Sequence, residues 1–186
     1  TVGGRLKRLE EACSIIKQLF SDGNVNFEGK YYQLQDAPLE PKPMQSPLPL
    51  MIGGGGEKVT LKITAKYADE WNVWGTVDTL KHKMAILDQH CADIGRDPAE
   101  IQRSAVALLF LSDDEAFVKK MNASTEGPAK IAGNVSQLRD IIATYSDIGV
   151  NELIVPDFTL GPNDNQKKLD TLDCFIEEIA SIARDS

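Results

Sequence analysis

The sequence predicts an α/β chain: four short strands, each followed by a helix, preceded by one helix and a hairpin. Three observations predict it. The segments 50–52, 71–74, 104–111 and 153–155 are short runs of largely apolar residues. Between them lie segments whose apolar residues recur at three- and four-residue steps. Glycines and capping residues punctuate the boundaries. Strands of near-continuous apolar character that alternate with helices indicate a parallel sheet covered on both faces. Four such units make half of a (β/α)8 barrel, and the preferred reading is its C-terminal half. A complete barrel takes about 250 residues, whereas this chain has 186 and is read as one domain over 1–186. A doubly wound open sheet is the competing architecture.

The elements follow in order. Over 5–20, Leu6, Leu9, Ala12, Cys13, Ile16, Leu19 and Phe20 form one helical stripe, and Gly23 ends it. Residues 25–34 alternate weakly around Glu28-Gly29-Lys30 and predict a short hairpin. Pro38, Pro41, Pro43, Pro47 and Pro49 forbid a helix and favour an extended connection. Leu50-Met51-Ile52 is the first strand of the parallel set, and 57–68 has helical character. The strand Trp71-Asn72-Val73-Trp74 precedes a helix over 77–94, stopped by Gly95. Asp97-Pro98-Ala99-Glu100 reads as an N-cap, a first-turn proline and a reciprocal acid. Residues 104–111 make the third strand, and Ser112-Asp113-Asp114-Glu115 opens a helix toward Met121 as a second capping box. A loop through Gly127-Pro128 and Gly133 leads to a helix over 136–147, stopped by Gly149. After the strand Leu153-Ile154-Val155, the last helix covers 165–184 and is expected to bury Leu169, Leu172, Phe175, Ile176, Ile179 and Ala183.

Composition excludes several classes. A net charge of −8 repels a phosphate backbone or an anionic lipid surface, so neither nucleic acid nor membrane is expected as a partner. A local basic pocket for one small anion stays compatible with that total. No window approaches the roughly 18 apolar residues of a spanning helix, and Thr1-Val2-Gly3-Gly4-Arg5 has no signal-peptide core. Cys13, Cys91 and Cys174 are widely spaced and odd in number, which suits reduced thiols in a cytoplasmic protein. The missing Met and the immediate helix read like the interior of something longer.

The sharpest chemical feature is Gly53-Gly54-Gly55-Gly56 followed by Glu57-Lys58, placed where a strand ends and a helix begins directly. Without Cβ atoms the backbone approaches an anion closely, and a helix N-terminus adds unpaired N–H groups and dipole. These glycines and Lys58 are the candidate phosphate or cofactor contacts, against the plainer reading of a tight turn. At the end of the next strand, Asn72 and Trp74 are candidates to face a planar ring, while Trp71 is read mainly as packing. Asp157-Phe158 follows the fourth strand, with a binding role and a simple strand closure equally open. His82 and His90 are eight residues apart on one helix, so no metal site is expected. No catalytic constellation of Ser, Cys, His and Asp assembles, and the catalytic residues stay unassigned.

Four passages resemble the bacterial luciferase-like monooxygenases, in particular their deazaflavin-dependent branch: Arg5-Leu6-Lys7-Arg8-Leu9-Glu10-Glu11-Ala12, Phe27-Glu28-Gly29-Lys30-Tyr31-Tyr32-Gln33-Leu34, Pro49 to Glu57, and Ala68-Asp69-Glu70-Trp71-Asn72. Gly149 to Pro156 is similar to that family's last barrel strand. The resemblance implies a (β/α)8 barrel of which this chain is the C-terminal part. It also implies FMN or coenzyme F-420, with Gly53 to Gly56 in the loop after strand five that holds the cofactor phosphate, and Trp71-Asn72 at the end of strand six. Glu70 stands where the family motif usually has Gly. The histidine and acid that some deazaflavin enzymes use belong to the first four strands, which have no counterpart here.

The expected activity is hydride transfer or oxygen activation on a small organic substrate. The alternative is a truncated flavin- or phosphate-binding module without catalysis. A half-barrel leaves sheet edges unpaired. The expectation is therefore either a homodimer that closes the barrel or an N-terminal half lying outside this sequence.

Overall fold

The apolar stripes and glycine stops translate into elements close to their expected bounds. The computed structural model describes residues 1–21, 23–160 and 165–181. In chain order the elements are α1 (Val2–Ser21), β1 (Val25–Glu28), β2 (Gln33–Ala37), β3 (Met51–Gly53), α2 (Thr60–Tyr67), β4 (Glu70–Trp74), α3 (Val77–Asp93), β5 (Gln102–Val106) and β6 (Leu108–Leu111). There follow α4 (Glu115–Asn122), β7 (Lys130–Gly133), α5 (Val135–Asp147), β8 (Glu152–Ile154) and α6 (Asn165–Cys174), continued by a π-helical turn over Phe175–Ile179. Strand order in the four-stranded sheet is β3-β4-β5-β8, the order in which the sequence presents its four strands. β5 and β8 run parallel, with Ala105 opposite Leu153.

Contacts divide the chain into two units, one of residues 1–71 and 85–101, the other of 72–84 and 102–186; the division falls within β4 and within α3. In the first unit Cys13, Ile52, Ile63 and Ala68 form a buried cluster, with Leu9, Leu50 and Tyr67 packed against it. Ile15, outside the expected stripe of α1, is also buried. The carboxylate of Asp69 accepts from Lys17 Nζ at 2.8 Å and from the Leu50 amide at 2.7 Å, which fixes the start of β4 against α1 and β3. The hairpin β1–β2 pairs antiparallel, and Glu11 of α1 holds its turn by accepting from the amides of Lys30, Tyr31 and Tyr32 at 2.9 to 3.1 Å. Arg96 closes α2 by donating to the carbonyls of Ala65 and Ala68.

In the second unit, Leu109, Leu138, Leu80, Ala105 and Tyr145 are buried to 1% exposure or less. The expected single strand over 104–111 is two strands. Ala107 is the switch: its amide reaches the Ile154 carbonyl at 3.3 Å, whereas Leu108 N–H donates to Ala129 at 2.8 Å. The chain therefore leaves β8 for a new neighbour, β7, which pairs with β6 in parallel from Leu108 opposite Lys130 to Leu111 opposite Gly133. Residues 130–133, expected in a loop, supply that strand.

Three helix starts differ in detail. Asp114, rather than Ser112, caps α4 by accepting from Ala116 and Phe117. Asn134 and Gln137 form a reciprocal capping box on α5. Asp97 caps its turn as expected, but Glu100 pairs with Arg96 at 3.0 Å instead of reaching back. Gly95 and Gly149, both at positive φ, lie two residues beyond the ends of α3 and α5 as the stops read from the sequence. In the last helix Ile179 is buried while Leu169 and Ile176 are 52% and 45% exposed; Ala183 lies outside the described residues.

Candidate functional site

The four glycines sit where β3 ends, but the helix does not begin directly after them. A turn over 57–59 intervenes, and α2 starts at Thr60. The reason is local: Val59 has no side chain able to cap, and the Leu61 amide donates back to the Gly56 carbonyl at 3.0 Å, a wider loop than an α-helical turn. Gly54 has φ +124°, which only glycine adopts without strain. A Cβ on Gly56 would lie 2.7 Å from Thr60 Oγ1. Gly53 and Gly56 are exposed, and Gly54 and Gly55 half-buried. Lys58 is exposed and joins Gly55, Gly56, Val59, Thr60 and Leu6 of α1 around an open groove of about 430 Å³.

Two ring nitrogens grip this turn. Trp71 is 1% exposed, and its Nε1–H donates to the Gly54 carbonyl at 2.8 Å. His90 Nε2 lies 2.8 Å from the Glu57 carbonyl. A carbonyl only accepts, so this nitrogen carries the proton. In a trans peptide C=O and N–H point in opposite directions, so pinning the Glu57 carbonyl turns the Lys58 amide away from His90. The amides of Lys58, Val59 and Thr60 make no hydrogen bond among the described residues. Three consecutive donors at the head of α2 are what an anion requires. Trp71 therefore has a second task beside the packing expected of it. In the sequence His90 figures only as a residue not expected to bind metal, and its link to this turn was not legible there because it spans 33 residues.

In the second unit, β4 alternates: Val73 is buried, while Asn72 is half-buried and Trp74 is 42% exposed on the other face. Asn72 Nδ2 donates to Ser104 Oγ at 2.7 Å, which orients the amide. After β4, the Gly75 carbonyl accepts from the buried Tyr145 hydroxyl at 2.9 Å. Burial pushes the Tyr145 phenol up to about 12. Asp157 is engaged by Lys168 Nζ at 2.7 Å, and the Phe158 side chain lies outside what the structure describes. Cys13 and Cys91 are buried, Cys174 is half-buried, and none is in a disulfide. Among the described residues no three His, Cys, Asp or Glu side chains are placed to hold a metal ion. No described helix is long and apolar enough to cross a membrane.

The sequence profile of the luciferase-like monooxygenases matches residues 2–152. The chain belongs to the luciferase-like monooxygenase family. An F420-dependent glucose-6-phosphate dehydrogenase of Kineococcus radiotolerans is 48% identical over 56 residues, covering 30% of this chain and 16% of that protein. The FMNH(2)-dependent dimethylsulfone monooxygenase of Pseudomonas putida is 28% identical over 128 residues, 60% of this chain and 35% of that protein. Among solved structures, the coenzyme F420 dependent tetrahydromethanopterin reductase of Methanopyrus kandleri superposes with a TM-score of 0.74 at 19% identity. That match covers 95% of this chain and 63% of the reductase. An F420-dependent secondary alcohol dehydrogenase has the same TM-score at 20% identity, with 98% and 63% covered. The luciferase-like chain thus spans about a sixth to a third of these curated relatives and under two thirds of the solved structures. Its fold is the α/β fold with a parallel sheet of the luciferase-like barrels, of which it covers part.

Proposed function

We propose that this chain is the cofactor-holding part of a flavin- or deazaflavin-dependent oxidoreductase that acts on a small organic substrate. Its turn at 53–58 grips the anionic end of FMN or coenzyme F-420. The observation that carries this reading is the trio of amides at Lys58, Val59 and Thr60, which make no hydrogen bond among the described residues, in a turn whose Gly54 and Glu57 carbonyls Trp71 and His90 engage. Lys58 adds an exposed positive charge to the same turn. In its own unit, Asn72 and exposed Trp74 are the proposed contacts for a planar ring. When bound, the cofactor supplies hydride or oxygen chemistry; the protein contributes binding, orientation and exclusion of water. The names of the F420- and FMNH(2)-dependent relatives support this cofactor class. We further propose that the remaining barrel strands come from additional chain or from a second copy, which light scattering on the purified chain distinguishes.

Titration with FMN and with coenzyme F-420, followed by cofactor fluorescence, tests the reading. Saturable binding that inorganic phosphate competes away, and that Lys58→Ala weakens several-fold, is expected. Binding of neither cofactor overturns the proposal. Binding without oxidation of alcohols or aldehydes assigns a binding module instead of an enzyme.

A further inference from the structure

Among the described residues only two polar side chains belong to fully buried positions, Thr64 and Ser104. Thr64 bonds to the Thr60 carbonyl within its own helix. Ser104 instead accepts from a side chain on the next strand, Nδ2 of Asn72. We propose that Ser104 is a positioning residue: it fixes the polarity of the Asn72 amide, so that this sheet face receives a flat ring through an N–H donor, the imide of a flavin or deazaflavin. The inference rests on the reading that Asn72 and Trp74 face the ring.

The face is built from β4, β5 and β8, which are neighbours in that order. Side chains alternate along a strand, so Asn72 and Trp74 share one side of β4. In the register of β5 with β8, Ser104 lies opposite Glu152 and Val106 opposite Ile154. The Asn72–Ser104 bond, at 2.7 Å, joins β4 to the same register. The Gly75 amide donates to the Val106 carbonyl at 3.3 Å, which puts Trp74 level with Val106. Two rows result. Asn72, Ser104 and Glu152 form a polar row, and Trp74, Val106 and Ile154 form an apolar row one step nearer the carboxyl ends. Trp74 and Ile154 are 42% and 37% exposed on either side of buried Val106, which makes a flat apolar surface.

The polar row decides what that surface accepts. A primary amide has two N–H donors and a carbonyl oxygen with two lone pairs. Ser104 takes one N–H of Asn72, so the amide nitrogen is turned toward β5. Oδ1 accepts no hydrogen bond among the described residues and is not buried, so it stays available to a ligand. Glu152, exposed and level with Ser104, adds negative charge to the same row. Together these groups favour a donor and oppose an anion. A flavin or deazaflavin ring carries such a donor, an imide N–H between two carbonyls. The second N–H of Asn72 remains for one of those carbonyls, and the flat ring suits Trp74.

Lumiflavin carries the ring without a phosphate, so the turn at 53–58 takes no part; its N3-methyl derivative lacks the imide donor. Titration of the intact chain with each, followed by ring fluorescence, tests the proposal. Lumiflavin is expected to bind roughly three- to tenfold more tightly, the effect of one hydrogen bond. Ser104→Ala should bring that ratio down toward one, because the amide loses its anchor. A merely structural role would weaken both probes alike and leave the ratio unchanged. Asn72→Leu, which keeps Ser104 and the side-chain shape, gives the same readout independently and should also abolish the preference. Trp74→Leu should weaken both probes and preserve it. No lumiflavin binding, equal affinities in the unaltered chain, or a ratio that Asn72→Leu or folded Ser104→Ala leaves intact overturns the proposal. FMN binding that phosphate competes away, beside equal affinities for the two lumiflavins, overturns this inference and leaves the cofactor reading standing.

Discussion

The indole N–H of Trp71 and the carbonyl oxygen of Gly54 meet at 2.8 Å, although 17 residues separate them in the chain. This bond fastens the glycine turn to the strand beside it. Trp71→Phe removes the donor and some ring volume. A loss of about 1–3 kcal/mol is expected, from an unsatisfied carbonyl and a small cavity. Urea unfolding measures the first effect, and FMN titration should show affinity falling several-fold. Unchanged FMN affinity in a destabilised variant would show that the indole does not position the turn.

The glycines of that turn are not equivalent. Gly54→Ala forces φ +124° on a residue with a Cβ, at an expected cost of about 1–3 kcal/mol that is mainly backbone strain, with the Cβ 3.3 Å from Thr60 Cγ2 as a smaller part. Gly56→Ala presses its Cβ on Thr60 Oγ1, an overpacking cost of about 1–3 kcal/mol. Thr60→Ala should recover a larger part of the second loss than of the first, because it removes the Thr60 atoms that either Cβ would meet but leaves the Gly54 backbone strain in place. A double-mutant cycle on unfolding free energies reads the difference directly.

Acid should loosen the hairpin. Desolvation pushes the Glu11 carboxyl up, but the amides of Tyr31, Tyr32 and Lys30, with the Lys30 charge, outweigh it and hold it below its ordinary value. A lowered folded-state value gives stability that is present above the unfolded-state value and is lost as pH falls through the folded one. The acid limb of melting temperature against pH should therefore flatten in Glu11→Gln. An unchanged limb would assign acid sensitivity elsewhere.

Alkali should act through Tyr145. Its phenol stays protonated up to about 12 in the folded chain, against 10.0 as its ordinary value. A raised folded-state value gives stability complete below the unfolded-state value and lost as pH climbs through the folded one. Between those values the unfolding constant should grow about tenfold per pH unit from this group alone. Tyr145→Phe should remove that slope and cost about 1 kcal/mol at neutral pH, through the lost bond to Gly75. Alkaline unfolding monitored by circular dichroism is the measurement.

Much of this was legible in the residues. The stripe of α1, the hairpin, the strand at Trp71 to Trp74 and the glycine stops at Gly95 and Gly149 follow from local pattern, because period and backbone freedom are properties of neighbouring residues. The candidate glycines were legible for the same reason. The partner change at Ala107 was not: an apolar run states that a strand is buried, not which strand lies beside it. The pairing of residues 130–133 with β6 was hidden equally, since its Gly-Pro approach reads as a loop.

By itself, then, the order of residues determined the succession of helices and of the four strands of the main sheet, the family, and the glycine turn as the place to look. Tertiary structure alone decided that Trp71 and His90 hold that turn, and that α2 begins at Thr60 rather than directly after the glycines. The physical reason is distance along the chain: periodicity and caps act within a few residues, while these contacts join atoms that only folding brings within 3 Å.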